Sequence, residues 1–357
     1  MIFRRARRFA RAVYRPRLQR PWQGVPASYR HIAAPDLPLP SDVADWDNTR
    51  PQIRQTLLEC LGSLPPRPSP LAVRTLSTRS APGYTVEKFV FSNGVDAEVP
   101  GYLAIPSNRK PPLPAVLAIH GHGGDKEDVF GMRSSPQSVA RRLAAKGYVV
   151  AAIDNYFSGE RKGSGPGGVL GRLSRASTEE LSLFKLNLWL GRTLWGMMLR
   201  DQQIALDYLQ SRPEVDPNRI GVQGMSMGST SSWWLAALDE RIKAVVAVAC
   251  FTRYRDLIAT RALSVHGIYY FVPRILVHFD TEAILALIAP RPLLALTGDR
   301  DPGSPPEGIA TLEGILNHFY ALYGKPGNFH SAVYPNTGHV YIKDMKEAME
   351  AWFDRFL

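Results

Sequence analysis

The sequence predicts an α/β protein: a mostly parallel sheet covered by helices on both faces, with an antiparallel hairpin at its N-terminal edge and insertions at the carboxyl edge. Two observations predict it. From residue 115 onward, short apolar runs alternate with longer segments of helical period, the pattern of strands joined by crossover helices. The runs 115–119, 148–153, 244–249 and 292–297 also lack polar alternation, as strands buried on both faces require. Right-handed crossovers then set these strands side by side.

The elements follow in order. In residues 1–20, Ile2, Phe3, Ala6, Phe9, Ala10, Val13 and Tyr14 recur at helical spacing opposite Arg4, Arg8, Arg11 and Arg15, which reads as a basic amphipathic arm. It has no uninterrupted apolar core and so is not a secretory signal. Attachment to a membrane surface, targeting, and packing on its own domain all remain open for it. Residues 21–84 form a proline-rich lead-in, with one short helix marked by Ile53, Leu57, Leu58, Leu61 and Leu64 and ended by Pro65-Pro66.

The catalytic region spans 85–357. Strands at 85–91 and 99–105 flank the turn signal Ser92-Asn93-Gly94 and predict the hairpin. Strands are then expected at 115–119, 148–153, 219–223, 244–249, 292–297 and 332–334, and helices at 136–146, 194–209, 229–238, 306–323 and 341–356. Two stretches, 163–195 and 251–289, interrupt this rhythm as insertions at the carboxyl edge, where such sheets bind ligands. The aromatic-rich run 266–273 in the second either walls a pocket or packs peripherally.

Composition narrows the function classes. With 45% hydrophobic and 21% charged residues the chain is of ordinary globular type, and no apolar run approaches the roughly 18 residues of a membrane span. The net charge is +11, but eight arginines and no acid fall within residues 1–20. The rest is nearly balanced and has no basic stripe interleaved with aromatics, so nucleic acid is not an expected partner. Cys60 and Cys250 belong to no metal or redox spacing. Read as two buried thiols they favour a reducing compartment, and a cytoplasmic location is expected, with the arm as the one route to a membrane periphery.

The chemistry centres on Gly224-Met225-Ser226-Met227-Gly228, set between a strand-like and a helix-like run. That is the context of a nucleophile elbow, in which a serine occupies a sharp strand-to-helix turn. A serine hydroxyl needs a base to take its proton and a carboxylate to orient that base. Strand 292–297 leads into Gly298-Asp299-Arg300-Asp301-Pro302, and strand 332–334 leads into Pro335-Asn336-Thr337-Gly338-His339. Ser226, Asp301 and His339 are therefore the candidate nucleophile, acid and base. Asp301 is preferred to Asp299 because it lies further into the loop, whereas Asp299 is placed to hold the turn.

Acyl transfer also needs two donors for the oxyanion. The loop His120-Gly121-His122-Gly123-Gly124 follows strand 115–119, the position from which one backbone N–H is lent, while the residue after the nucleophile lends the other. His122 and Met227 are the assigned donors, with Gly121 and Gly123 as neighbours of the first. The side chains of His120 and His122 with Asp125 depart by one inserted glycine from an HxHxDH metal spacing and lack its final histidine. No metal or other cofactor is expected.

These motifs together resemble the α/β-hydrolase superfamily, and within it the group related to dienelactone hydrolases and acetyl xylan esterases. The likeness covers most of residues 50–357. It rests on LGSLPP at 61–66, HGHGG at 120–124, DNYFSGER at 154–161, Arg200-Asp201 before GMSMG, IAPRPLLALTGDRDP at 288–302 and TGHVY at 337–341. The resemblance implies that the acid is the second aspartate of the GDRD phrase, Asp301. True dienelactone hydrolases use a cysteine nucleophile, so serine at 226 favours simple ester hydrolysis. The expected activity is a cofactor-independent serine esterase acting on short-acyl, acetyl-type esters of small molecules or carbohydrates. Two rivals are a serine peptidase of the prolyl-oligopeptidase kind, whose propeller has no room upstream of Ser226, and an inactive hydrolase-fold binding protein.

Overall fold

The computed structural model of the protein describes residues 26, 28, 32, 34–132, 138–163, 165–166 and 178–357. The basic arm, residues 136–137 of the expected helix, and most of 163–177 lie outside the described residues.

Parallel pairing of β4 (Leu113–Ile119) with β5 (Val149–Ile153) on one side and β6 (Val215–Met225) on the other forms the centre of the sheet. Beyond β6 come β7 (Ile242–Val248), β8 (Leu293–Gly298) and β9 (Phe329–Tyr334), all parallel. Beyond β5 the pairing turns antiparallel through β3 (Glu98–Pro106), β2 (Tyr84–Ser92) and β1 (Val73–Ala81). Nine strands in the order β1-β2-β3-β5-β4-β6-β7-β8-β9 thus make one sheet.

The antiparallel edge has three strands where the sequence reading has two. β1 reads VRTLSTRSA and is exposed along nearly its whole length. It is held by ladder pairing to β2 from Val73↔Phe91 to Ala81↔Tyr84. With no face buried, it carries no apolar alternation to read.

Helices cover both faces. In chain order they are α1 (Val43–Leu61), α2 (Lys126–Phe130), α3 (Val139–Lys146), α4 (Thr178–Trp189), α5 (Leu194–Ser211), α6 (Met227–Leu238), α7 (Tyr254–Ala259), α8 (Ile275–His278), α9 (Thr281–Ala286), α10 (Pro306–Leu322) and α11 (Lys343–Phe356). The two-faced burial is visible within single strands. Ala115, Leu117 and Ile119 of β4 join a core with Leu61, Trp195, Trp234, Leu285 and Leu312. Val116 and Ala118 join the opposite core with Leu143, Met349 and Phe353. This period-two division of an all-apolar run is what a sandwiched parallel strand produces.

α1 begins ten residues before its first expected apolar marker, Ile53. Asp42 caps it by accepting the Asp45 N–H at 2.9 Å, and Trp46 is fully buried edge-on to Phe319 of α10 at 4.5 Å. Pro51 lies inside the helix, which is why the segment reads as irregular from sequence. The described part of the lead-in, from Leu37 to Leu64, is therefore packed into the same core as the sheet.

Candidate active site

The strand directions decide where the chemistry gathers. β6, β8 and β9 run parallel, with Met225 opposite Val248 of β7, Val248 opposite Leu296, and Gly298 opposite Tyr334. Ser226, Asp301 and His339 follow the carboxyl ends of these strands and so emerge at one edge.

Ser226 has φ 59° and ψ −119°, and stands as N-cap to α6. A non-glycine residue at positive φ is strained, and packing holds it there. The Ser226 N–H donates to the Val248 carbonyl at 2.9 Å. A Cβ on Gly224 would overlap the Gly228 backbone, and one on Gly228 would overlap the carbonyl oxygen of Ile119 at the end of β4. The two glycines of GMSMG are thus what lets α6 leave the strand so sharply. Met227 is the first residue of α6, where a backbone N–H has no acceptor within the helix.

His339 Nδ1 lies 2.9 Å from Asp301 Oδ2. The Asp301 side chain is fully buried, and its other oxygen accepts the Gly303 N–H at 2.9 Å. Burial lowers the pKa of His339, but the hydrogen bond and charge of Asp301 outweigh it and hold it above the ordinary imidazole value. Asp299 does not reach the imidazole. It is exposed and accepts the Thr337 N–H at 3.0 Å, pinning the loop after β9 to the loop after β8. Backbone donors from Asn336 and Thr337 hold its carboxyl below the usual range.

Cys250 lies between Ser226 and Asp301, a position that sequence spacing does not disclose. It follows β7 with φ 53°, after Ala249 with φ 62°, and its thiol contacts the hydroxyls of Ser226 and Thr230. A Cβ on Gly303 would lie 3.8 Å from Cys250 Sγ and 3.3 Å from Asp301 Oδ1. Burial first, and the charge of Asp301 second, push this thiol far up. It is therefore a neutral group at working pH, without the thiolate a nucleophile needs.

The oxyanion-type loop follows β4. Gly123 takes φ +80°, and Gly124 N–H donates to Gly121 O at 3.1 Å, closing a turn. A Cβ on Gly121 would lie 3.7 Å from Ser226 Cβ, so this loop borders the candidate nucleophile. His120 is buried, and its Nε2 accepts the Asn155 N–H at 3.1 Å. Nδ1 therefore carries the proton and donates to Gly121 O at 2.9 Å. Burial lowers its pKa against the pull of that hydrogen bond and nearby carboxylates, and the neutral ring braces the turn. His122 instead turns outward, with Nε2 2.8 Å from Glu180 of α4. Asp125 is the N-cap of α2. Among the described residues no three His, Cys, Asp or Glu side chains gather as metal ligands do.

The segment DNYFSGER is a buried polar frame under this loop. Asp154 accepts Lys126 N at 3.0 Å and Lys126 Nζ at 2.7 Å, and a Cβ on Gly159 would overlap its carboxylate. Arg161 donates to Asp201 of α5 at 2.8 Å and lies 3.8 Å from the Tyr156 ring centroid. Beside it, Arg200 donates to the carbonyls of Pro65 and Pro66 at 2.7 and 2.5 Å. The motifs LGSLPP, DNYFSGER and Arg200-Asp201 are thus one interlocked scaffold.

Comparison with known proteins agrees with this architecture. The model of the Abhydrolase family matches residues 32–335. The chain is 38% identical over 281 residues to the "Putative hydrolase YtaP" of Bacillus subtilis, covering 77% of this chain and 89% of that one. It is 25% identical to the "Putative carboxymethylenebutenolidase" of Yersinia pestis over 71% of this chain and 78% of the relative. Among solved structures, a "putative acetyl xylan esterase" from Bacteroides fragilis superposes with a TM-score of 0.70 at 21% identity, over 87% of this chain and 81% of that one. The glucuronoyl esterase from Solibacter usitatus gives 0.68 at 18% identity, over 91% and 99%. With a sheet of this order, a serine at positive φ after β6 and a family match spanning most of its length, the chain belongs to the α/β-hydrolases of the Abhydrolase family.

Proposed function

We propose that the protein is a serine carboxylic ester hydrolase working through an acyl-enzyme, with Ser226 as nucleophile, His339 as base and Asp301 as the carboxylate that orients it. The observation that carries this reading is the 2.9 Å contact between His339 Nδ1 and the buried Asp301 carboxylate, on the sheet edge where Ser226 is held in strained backbone. With Nδ1 committed to Asp301, Nε2 is the nitrogen that takes the Ser226 proton. Ser226 Oγ bonds to the ester carbon, and the carbonyl oxygen gathers negative charge between the backbone N–H groups of Met227 and His122. Collapse expels the alcohol, which takes the proton from His339. Water, deprotonated by the same imidazole, then releases the acid. The cycle needs no cofactor.

A short acyl group is the favoured substrate part, and the names of the structural neighbours point to carbohydrate esters. Labelling by a fluorophosphonate tests the nucleophile. Modification at Ser226, lost in Ser226→Ala together with turnover of p-nitrophenyl acetate, is the expected outcome; turnover retained by a folded Ser226→Ala protein overturns the reading. The basic arm is the segment through which membrane contact would run, and liposome flotation with and without residues 1–20 tests that contact.

A further inference from the structure

A second carboxylate–imidazole pair stands on the loop beside the nucleophile, and the hydrolytic cycle does not use it. His122 Nε2 lies 2.8 Å from Glu180 Oε2, and the other oxygen of Glu180 faces the Tyr269 N–H at 3.3 Å. The Glu180 side chain is only 7% exposed. A Cβ on Gly267 would come within 2.6 Å of it, so glycine there makes room for the carboxylate. The loop after β4, the first insertion and the second insertion thus meet on one buried acid.

The His122 side chain itself stays 41% exposed. Nε2 turns toward the buried carboxylate, and among the described residues no hydrogen bond engages Nδ1. A carboxylate accepts, so Nε2 holds the proton, and in the neutral tautomer this sets, Nδ1 is an acceptor. Aromatic rings flank it: Tyr269 with centroids 5.0 Å away and Phe157 edge-on at 6.0 Å. Phe157 has φ 53°, a strained conformation for a bulky residue, which persists only where the surroundings impose it. The backbone is strained to hold this ring beside His122, one residue from the Gly121 that borders Ser226.

We propose that His122, held by Glu180 and flanked by Phe157 and Tyr269, forms a subsite for a hydroxylated ring on the leaving alcohol. The proposal rests on the esterase reading above and names the alcohol class. With a short acyl group, the large part of the substrate is the alcohol. His122 Nδ1 accepts a hydrogen bond from one of its hydroxyls, while the half-buried Phe157 ring, backed by the buried Tyr269, packs against its C–H surface. A leaving alcohol with no hydroxyl beyond the esterified one packs on the same ring but leaves Nδ1 unused, and the two alcohol types are thereby distinguished.

Two substrates with the same acyl group test this: phenyl acetate and a mono-O-acetylated methyl xyloside. In His122→Phe, the loss in kcat/KM on the xyloside acetate is expected to exceed the loss on phenyl acetate by about tenfold, mainly through KM, the worth of about one hydrogen bond. Glu180→Gln, which conserves shape, should show the same differential more weakly, and it stands in if His122→Phe fails to fold. Equal losses on the two acetates, or no loss on either, overturn the subsite. Wild-type protein that a fluorophosphonate does not label at Ser226 overturns the esterase reading itself; labelled protein with equal losses overturns only the subsite.

Discussion

Asp301 Oδ2 and His339 Nδ1 meet at 2.9 Å across the loops that follow β8 and β9, while Asp299, two residues earlier, holds the Thr337 N–H instead. The two aspartates therefore separate in what they hold. Asp301→Asn is expected to lower kcat on an aryl acetate by roughly 10⁴-fold, as loss of the orienting carboxylate does in a serine triad. Asp299→Asn should keep most of the turnover and lower the unfolding temperature. Steady-state kinetics and thermal unfolding on both variants check this, and the reverse pattern would assign the acid to Asp299.

The pH profile carries the same signature. His339 must be neutral to accept a proton, and the hydrogen bond and charge of Asp301 raise its pKa more than burial lowers it. The acid limb of kcat/KM is expected above the ordinary imidazole value of about 6.5, and Asp301→Asn should move it down. Linkage has a definite sign here. A raised imidazole pKa stabilises the fold fully below the unfolded value, and that contribution is lost as pH rises through the folded one. The active pH range is thus the range in which the imidazolium–carboxylate pair has already dissolved.

Glu282 supplies a stability term remote from the chemistry. It is 1% exposed, and burial, then the charge of Asp280, raise its carboxyl to about 7 despite Arg255 and Arg253. A carboxyl raised above its unfolded value of 4.5 contributes stability that is whole below that value and is lost as pH rises through about 7. Glu282→Gln removes the ionisation and retains an acceptor for Arg255. It is expected to be more stable than wild type at pH 8 by roughly 2–3 kcal/mol, with the advantage vanishing near pH 4 in denaturant titrations.

Glycines divide by what surrounds them. Gly228→Ala meets the carbonyl oxygen of Ile119, a backbone atom that cannot swing aside, and should cost roughly 3 kcal/mol or more along with activity. Gly314→Ala, on an open face of α10 with ordinary helical φ and no atom within 4 Å, should raise stability by about 0.5–1 kcal/mol. Unfolding temperatures of the two variants decide both.

Legibility from sequence followed burial. β4, β5, β7 and β8 were readable because strands covered on both faces are written as unbroken apolar runs. The candidate serine, aspartate and histidine were readable because each follows a strand-like run and sits beside a glycine-bearing turn phrase, GMSMG, GDRDP or TGH. β1 was not readable, since an exposed edge strand is held by backbone pairing alone. The early turns of α1 were obscured by Pro51, although Trp46 lies in the core.

By itself the sequence determined the layered α/β architecture and the chain order of the three candidate groups, because strand periodicity and turn chemistry are local properties. Only the tertiary structure decided that Asp301 faces His339, that the Cys250 thiol contacts Ser226, and that Glu180 meets His122 across 58 residues of chain. Such contacts depend on where separate loops land above one sheet edge, and that is set by the packing of the whole core beneath them.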